Sequence, residues 1–324
     1  MMMAGKNYAI IAFFALALFL FIIRVNFNGV FVDEEYYISA GKFFMSGQHE
    51  IGNPLNIMFG SFFVPVMSYM ADAAGGIIFA RMVSAFFILG TLVLIYLTAQ
   101  KIFKNKRISS VAFLISLFFS PLFFIGRFAT YDAPAVFFAS LAFFIIISAG
   151  ESKKSRSLYF LASLIFFLSF ISKYTSIILV LPLAIIAVRE KRKDAAYFIL
   201  PYIALILLYT GLFSKELAAL ASTKLAEQAS SFLPDFIVIA LLVPYIALSL
   251  VSPKNKWIIF MPAVFLVILL QSFITNSMND FKHASFALIF IAPFAAYGLC
   301  KIRPRMLIVP AVVLAAIFWC PRHS

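Results

Sequence analysis

The segment ARMVSAFFILGTLVLIYLTAQKIFKNKR, residues 80–107, decides the fold class of this chain. After Arg81 it is almost entirely apolar, and it ends in the basic cluster KIFKNKR at residues 101–107. About 20 largely apolar residues are enough for a helix to cross the hydrocarbon core of a bilayer. Basic residues directly after such a run mark its cytoplasmic end. The segment therefore predicts a transmembrane helix.

The composition extends this prediction to the whole chain. Hydrophobic residues make up 64% of the 324 residues, charged residues make up 12%, and the mean hydropathy is +1.04. A soluble domain carries about 25% charged residues, whereas this chain has too few polar residues to cover a water-facing surface. We therefore expect an all-α polytopic membrane protein, with residues 1–324 forming a single transmembrane domain and no soluble C-terminal domain.

About eleven apolar runs are candidate membrane spans. They are residues 7–23, 77–99, 108–125, 134–149, 157–171, 174–188, 195–213, 235–251, 257–274, 284–300 and 306–320. A further apolar stretch, residues 55–71, contains Gly60 and Pro65 and has only polar flanks. It is expected to lie at the interface or to re-enter the membrane rather than to cross it.

Short basic clusters between the apolar runs determine the predicted topology. They lie at residues 101–107, 151–156, 189–194, 252–256 and 301–305. All of them face the cytoplasm, as the positive-inside rule requires, if the N-terminus is cytoplasmic and residues 55–71 do not span. Residues 24–76 then form an acidic outer first loop with interfacial helices. The cytoplasmic basic clusters thus explain the net charge of +13. We expect no nucleic-acid partner, because the sequence has no basic face interleaved with aromatic residues.

Three consecutive carboxylates, Asp33, Glu34 and Glu35, begin a helical pattern in this first outer loop. Asp33 could be the N-cap of that helix, and the two glutamates could favour the dipole of its first turn. Such a structural role does not exclude chemistry, because a capped helix start beside the membrane holds a carboxylate in a fixed place.

Cationic residues accompany acidic ones in the later outer segments. Arg127 could form an ion pair with Asp132, which could instead cap the helix that follows. Lys173 lies in a tight hairpin between two spans, where a charge is costly and usually faces a site, although it could also snorkel to the interface. Lys282 stands beside His283. Cations of this kind suit a lipid phosphate, and a carboxylate could take the proton of an attacking hydroxyl.

Five segments in this order resemble the GT-C superfamily of membrane glycosyltransferases, of the aminoarabinose transferase and protein O-mannosyltransferase type. They are VDEEYYISAGKFFMSGQ (32–48), NPL (53–55), ARMVSAFFILGTLVLIYLTAQKIF (80–103), SPLFFIGRFATYDAPAVFF (120–138) and FISKYTSIILVLP (170–182). The resemblance covers roughly residues 1–190 well and the remainder in outline. It implies a polytopic helical enzyme whose catalysis takes place at the outer face of the membrane.

The resemblance also implies roles for individual residues. The catalytic residues would be Asp33, Glu34 and Asp132, and the donor-phosphate-binding residues would be Arg127, Lys173 and Lys282. Asp33 would be the general base, with Glu34 as its neighbour or substitute. Asp132 would support a metal or the acceptor. The requirement for a divalent metal ion stays open, and the lipid-linked sugar donor would be a co-substrate.

The implied reaction moves a sugar from a polyprenyl-phosphate donor to a lipid, glycan or protein acceptor, with inversion at the anomeric carbon. The expected location is the plasma membrane, in contact with its lipids. Two other functions remain open at this point. A transporter or flippase for lipid-linked sugars would use the same charged residues without breaking a bond, and a non-catalytic scaffold subunit would use the carboxylates only as caps.

Overall fold

The computed structural model describes residues 8–23, 25, 29–47, 61–215, 245–249 and 277–301. The helices are α1 (Tyr8–Ile22), α2 (Val32–Met45), α3 (Phe63–Phe103), α4 (Lys106–Leu117), α5 (Ser120–Ile125), α6 (Asp132–Gly150), α7 (Ser155–Ser172), α8 (Val180–Lys191), α9 (Ala196–Leu212) and α10 (Ser277–Lys301). A 3₁₀ helix, Tyr174–Leu179, precedes α8. These ranges contain no β-strand, and the predicted all-α class is confirmed.

Several helices are long and apolar enough to cross a membrane. In the described part of the chain they are Phe63–Phe103, Asp132–Gly150, Ser155–Ser172 and Lys282–Lys301, and the shorter apolar helices are Ile11–Ile22 and Ala196–Leu212. The prediction of a helical membrane protein is confirmed. The count of eleven spans stays a prediction, because residues 257–274 and 306–320 and most of 235–251 lie outside the described residues.

Two predicted spans are not single α-helices. Residues 108–125 divide into α4 and α5, with Phe119 in an extended conformation between them. Pro121 lies near the start of α5, where a missing N–H costs no helical hydrogen bond. Residues 174–188 begin as the 3₁₀ helix and continue as α8, which has Pro182 in its first turn. In both places proline favours a new helix start over a continuous span.

Helix α3 is too long to be one straight span. Its 41 residues correspond to about 60 Å at 1.5 Å per residue, twice the roughly 30 Å of a bilayer core. The helix breaks at Gly75 and Gly76, and Gly76 has φ +70°, a conformation that costs glycine little. The second part of the stretch 55–71 thus belongs to the helical segment before this break.

Helix α6 lies at the centre of the bundle. It packs against α3, α7, α8 and α10. Its buried residues Ala135, Ala139 and Ala142 are small, which allows neighbouring helices to approach closely. The Ser169 hydroxyl of α7 donates a hydrogen bond of 2.8 Å to the Ala135 carbonyl. The first residue of α6 is therefore held in a well-packed framework.

The basic clusters of three turns meet at one end of this bundle. Lys101 near the end of α3 pairs with Glu151 after α6 at 2.8 Å. Asp194, between α8 and α9, accepts hydrogen bonds from Ser155 at 2.5 Å and from Arg156 at 3.1 Å. These two donors hold the pKa of Asp194 below its usual range. Asp33, Asp132 and Lys173 lie at the opposite helix ends.

Close contact between α2 and α3 requires a glycine. A Cβ atom at Gly41 would lie 2.1 Å from the carbonyl oxygen of Pro65, well inside van der Waals distance. Nearby, the Phe44 and Phe62 rings are stacked, with their centroids 4.6 Å apart. The backbone of α2 is thus seated directly on the start of α3.

We predict that Gly41→Ala destabilises the protein by about 1–3 kcal/mol, the usual cost of overpacking. The measurement is the melting temperature of the purified protein in detergent. Gly211→Ala in α9 is the matched control, because a Cβ there meets nothing within 4 Å, and it should not lower the melting temperature. Equal melting temperatures for the two variants would contradict the tight α2–α3 contact.

Candidate active site

Two ion pairs from distant parts of the chain form the core of the candidate site. Asp33 in α2 accepts a hydrogen bond of 2.5 Å from the ammonium group of Lys282 in α10, which is 249 positions away in the sequence. Asp132 at the start of α6 pairs in the same way with Lys173, which follows α7. Helix packing therefore brings together four residues that the sequence predicted for the site.

The two pairs differ in their exposure. The side chains of Lys173 and Asp132 are 2% and 0% exposed, whereas the Asp33 side chain is 33% exposed beside a Lys282 side chain at 7%. Asp33 is therefore the most accessible of the four. Asp132 uses Oδ1 to bind Lys173, and its Oδ2 is buried without a hydrogen bond from the described residues.

Two tyrosines connect the pairs. The rings of Tyr37 and Tyr131 are 4.7 Å apart between centroids. Burial raises the pKa of Tyr37 well above its usual value, and Tyr131 and the negative charges of Asp33 and Asp132 raise it further. Burial also raises the pKa of Tyr131. Tyr37 lies one turn after Asp33 in α2, and Tyr131 directly precedes Asp132, so the contact between their rings joins the two ion pairs in one site.

Lys173 is the most deeply placed cation of this group. Its ammonium nitrogen lies 4.7 Å from the centroid of the Tyr131 ring and 5.9 Å from that of Phe286. Burial lowers the pKa of Lys173, while the charge of Asp132 and its hydrogen bond oppose that shift; the positive charge of Lys282 lowers it further. The four charged groups sum to zero, which limits the cost of holding them in an apolar environment.

Arg127 lies in the loop before Asp132 and is half-buried. Its guanidinium group donates a hydrogen bond of 2.9 Å to the carbonyl of Ile23 after α1, and it lies over the Phe123 ring at 5.4 Å. The sequence suggested an ion pair between Arg127 and Asp132, but in the structure Asp132 pairs with Lys173. Asp132 also makes no side-chain cap for α6.

Glu34 has a different environment from its neighbour Asp33. Its carboxylate is buried and binds Arg81 at two points, with Oε1 at 2.9 Å from Nε and Oε2 at 2.7 Å from Nη2. It also accepts hydrogen bonds from the backbone N–H groups of Phe31 at 2.9 Å and Ala129 at 2.8 Å. This geometry favours a positioning role for Glu34 over that of a substitute base.

The helix start of α2 corrects one expectation. Phe31 occupies the N-cap position and Asp33 lies within the first turn. Glu34 accepts the hydrogen bond from the Phe31 N–H group, so it provides the capping that the sequence suggested for Asp33. Asp33 is consequently available to Lys282. The sequence reading also did not select Arg81, for which the one available signal was a charge at the start of a span.

The described residues contain no group of three or more His, Cys, Asp or Glu side chains that could hold a metal ion. The site carboxylates Asp33, Glu34 and Asp132 are each bound to a lysine or an arginine. The arrangement can bind an anion most readily through Lys282, because its partner Asp33 is partly exposed and can be displaced, and Asp33 then lies beside that anion.

Comparisons with known proteins identify a matching family model and solved structures with a similar fold. A family model for dolichyl-phosphate-mannose-protein mannosyltransferases matches residues 65–218, which is slightly under half of the chain. Among solved structures, ArnT from Cupriavidus metallidurans bound to undecaprenyl phosphate matches with a TM-score of 0.71 and 15% sequence identity, over 97% of this chain and 64% of ArnT. The chain has a GT-C glycosyltransferase fold. The resemblance stated from the sequence is thereby confirmed.

An archaeal enzyme shares the fold more distantly. The oligosaccharyltransferase AglB from Archaeoglobus fulgidus, in complex with an inhibitory peptide and a dolichol-phosphate, matches with a TM-score of 0.55 and 13% identity, over 99% of this chain and 53% of AglB. The GT-C-like chain thus spans slightly less than two thirds of ArnT and about half of AglB. A search of curated protein sequences found no match.

We predict that Lys173→Met destabilises the protein by about 3–5 kcal/mol, because it leaves a buried carboxylate without its cation. The double variant Lys173→Met/Asp132→Asn removes both charges and should recover most of that loss. Thermal denaturation in detergent measures both effects. Lys101→Met, in the exposed pair with Glu151, is the control, with an expected loss of about 0–1 kcal/mol. A single variant as stable as this control would contradict the buried pair.

Proposed function

We propose that this chain transfers a sugar from a polyprenyl-phosphate-linked donor to an acceptor hydroxyl, with inversion and with Asp33 as the general base. The observation that carries the proposal is the partly exposed Asp33 paired with Lys282. This pair lies beside a second, buried lysine in a fold shared with an ArnT structure that is bound to undecaprenyl phosphate. A carboxylate and two lysines are the groups that such a transfer needs.

In the proposed step, the acceptor oxygen attacks the anomeric carbon while the bond from that carbon to the phosphate oxygen breaks. The electron pair of this bond leaves with the polyprenyl phosphate, and the proton of the acceptor hydroxyl passes to Asp33. A single displacement of this kind inverts the anomeric configuration. Lys282 and Lys173 stabilise the negative charge that grows on the phosphate in the transition state.

The ion pairs suggest how donor binding prepares the base. In the structure Lys282 neutralises Asp33, so an arriving phosphate competes with Asp33 for the same ammonium group. When Lys282 turns to the phosphate, the Asp33 carboxylate becomes free to accept a proton. In this proposal Asp132 keeps Lys173 in place, and Arg127 is a third cation for the donor phosphate, since a guanidinium group can bind phosphate at two points.

We further propose that the site faces the outside of the plasma membrane. The opposite end of the bundle carries the basic clusters, which the positive-inside rule assigns to the cytoplasm. The end of α1 approaches the site end through the bond between Arg127 and Ile23. Its start would then be cytoplasmic.

We predict that the purified protein in nanodiscs releases polyprenyl phosphate from labelled polyprenyl-phosphate sugars when an acceptor is present. Asp33→Asn should lower kcat by about 100- to 10,000-fold, the range for loss of a general base. Glu35→Gln changes the exposed neighbouring carboxylate and should leave kcat unchanged.

The same experiment separates the other functions. Binding of the lipid-linked donor without turnover, together with its movement across a vesicle membrane, would support a transporter instead. Activity that survives in Asp33→Asn would reject Asp33 as the base but retain sugar transfer. A protein that neither binds nor turns over any donor would fit a scaffold subunit.

Cysteine labelling in intact cells tests the predicted topology, after Cys300 and Cys320 have been replaced by serine. Ser46→Cys at the exposed end of α2 should react with a membrane-impermeant maleimide. Lys153→Cys, exposed in the turn between α6 and α7, should react only after the membrane is permeabilised. The reverse pattern would place the site in the cytoplasm.

A further inference from the structure

We infer that Arg81 and Glu34 act as a positioning pair, which holds the two site carboxylates in register without touching the substrate. The inference rests on the function proposed above for Asp33. Neither residue of the pair is free to take part in the reaction itself, because Arg81 is 1% exposed and Glu34 is 0% exposed. They would instead affect the reaction by fixing the positions of the backbone segments that they join.

Several backbone segments converge on the Arg81–Glu34 pair. Arg81 donates hydrogen bonds of 2.8 Å to the carbonyl of Val25 through Nη1 and to the carbonyl of Gly29 through Nη2. Glu34 accepts from the N–H groups of Phe31 and Ala129. The pair therefore ties α3 both to the chain entering α2 and to the loop entering α6.

These segments carry the two site carboxylates. Asp33 directly precedes Glu34 in the first turn of α2. Asp132 follows Ala129 by three residues and begins α6. A shift of the Glu34 carboxylate would therefore move both site carboxylates relative to the lysines that face them.

An aromatic contact extends the same unit to Lys282. The Arg81 guanidinium carbon lies 5.5 Å from the centroid of the Phe128 ring, and the Phe128 and Phe31 rings are 5.1 Å apart. The Lys282 ammonium nitrogen is in turn 5.5 Å from the Phe31 ring. Through Phe128 and Phe31, the Arg81–Glu34 pair thus also supports Lys282, the partner of Asp33.

Stability alone is a poor explanation for this arrangement. A buried ion pair is often no more stabilising than apolar residues of the same volume. Its distinctive property is geometric, because a two-point arginine–carboxylate contact fixes orientation as well as distance. Catalysis depends strongly on such geometry, and a misplacement of about 1 Å can cost roughly 100-fold in rate.

The test uses the neutral double variant Glu34→Gln/Arg81→Met, which leaves no unpaired buried charge and so avoids the main cause of misfolding. We expect kcat to fall about 100-fold, while the donor KM stays within about threefold because the lysines remain. Each single variant should lower kcat by a similar factor, since the pair acts as a unit. Lys101→Met/Glu151→Gln removes an ion pair at the other end of the bundle and should change neither constant.

A second measurement does not depend on activity. Hydrogen exchange followed by mass spectrometry in nanodiscs should show faster exchange, by about tenfold or more, in peptides covering residues 29–37 and 126–132 of the double variant. Peptides within α6 and α7 should be unchanged. Faster exchange throughout the bundle would overturn the inference, because the pair would then be a general stabiliser.

Unchanged kcat together with unchanged exchange would also overturn it. If the wild-type protein turns over no donor, the proposed function fails, and hydrogen exchange alone then decides whether the pair fixes the two segments. Local acceleration confined to these peptides would support the positioning pair even in that case.

Discussion

The cost of burying charge in an apolar environment governs the structure of this protein. An ionised group without a partner is expensive in such surroundings, so buried charges are paired or face a site. The buried cations of the site region each meet a carboxylate: Arg81 meets Glu34, Lys173 meets Asp132 and Lys282 meets Asp33. Each pair joins separate helices, so satisfying the charges also assembles the site.

Two adjacent carboxylates show how surroundings divide roles between similar groups. Glu34 is fully buried with four short contacts to arginine and backbone donors. Asp33 has one lysine partner and remains partly exposed. The proposed function needs a base that the substrate can reach, and Asp33 is the more accessible of the two carboxylates. The contacts of Glu34 suit it to the proposed role of holding Asp33 in place.

The separation of charge along the bundle links the site to membrane orientation. The basic turns gather at one end, where Glu151 and Asp194 offset only part of the positive charge. At the site end, three described ion pairs join three carboxylates to three cations. The excess positive charge would keep the first end in the cytoplasm, and balanced charge would leave room for a phosphate among lysines at the other.

The sequence by itself determined the helical membrane class, several of the spans and the charged residues at the helix ends that form the candidate site, because apolar runs and charge clusters are local patterns. It missed the breaks at Phe119 and at the 3₁₀ helix, where proline interrupts an apolar run without changing its hydropathy. Only the tertiary structure decided which charges pair, since the partners of Asp33, Glu34 and Asp132 lie 249, 47 and 41 positions away. The pairing of Arg81 with Glu34 was decided in the same way, because an ion pair depends on distance in space and helix packing sets that distance.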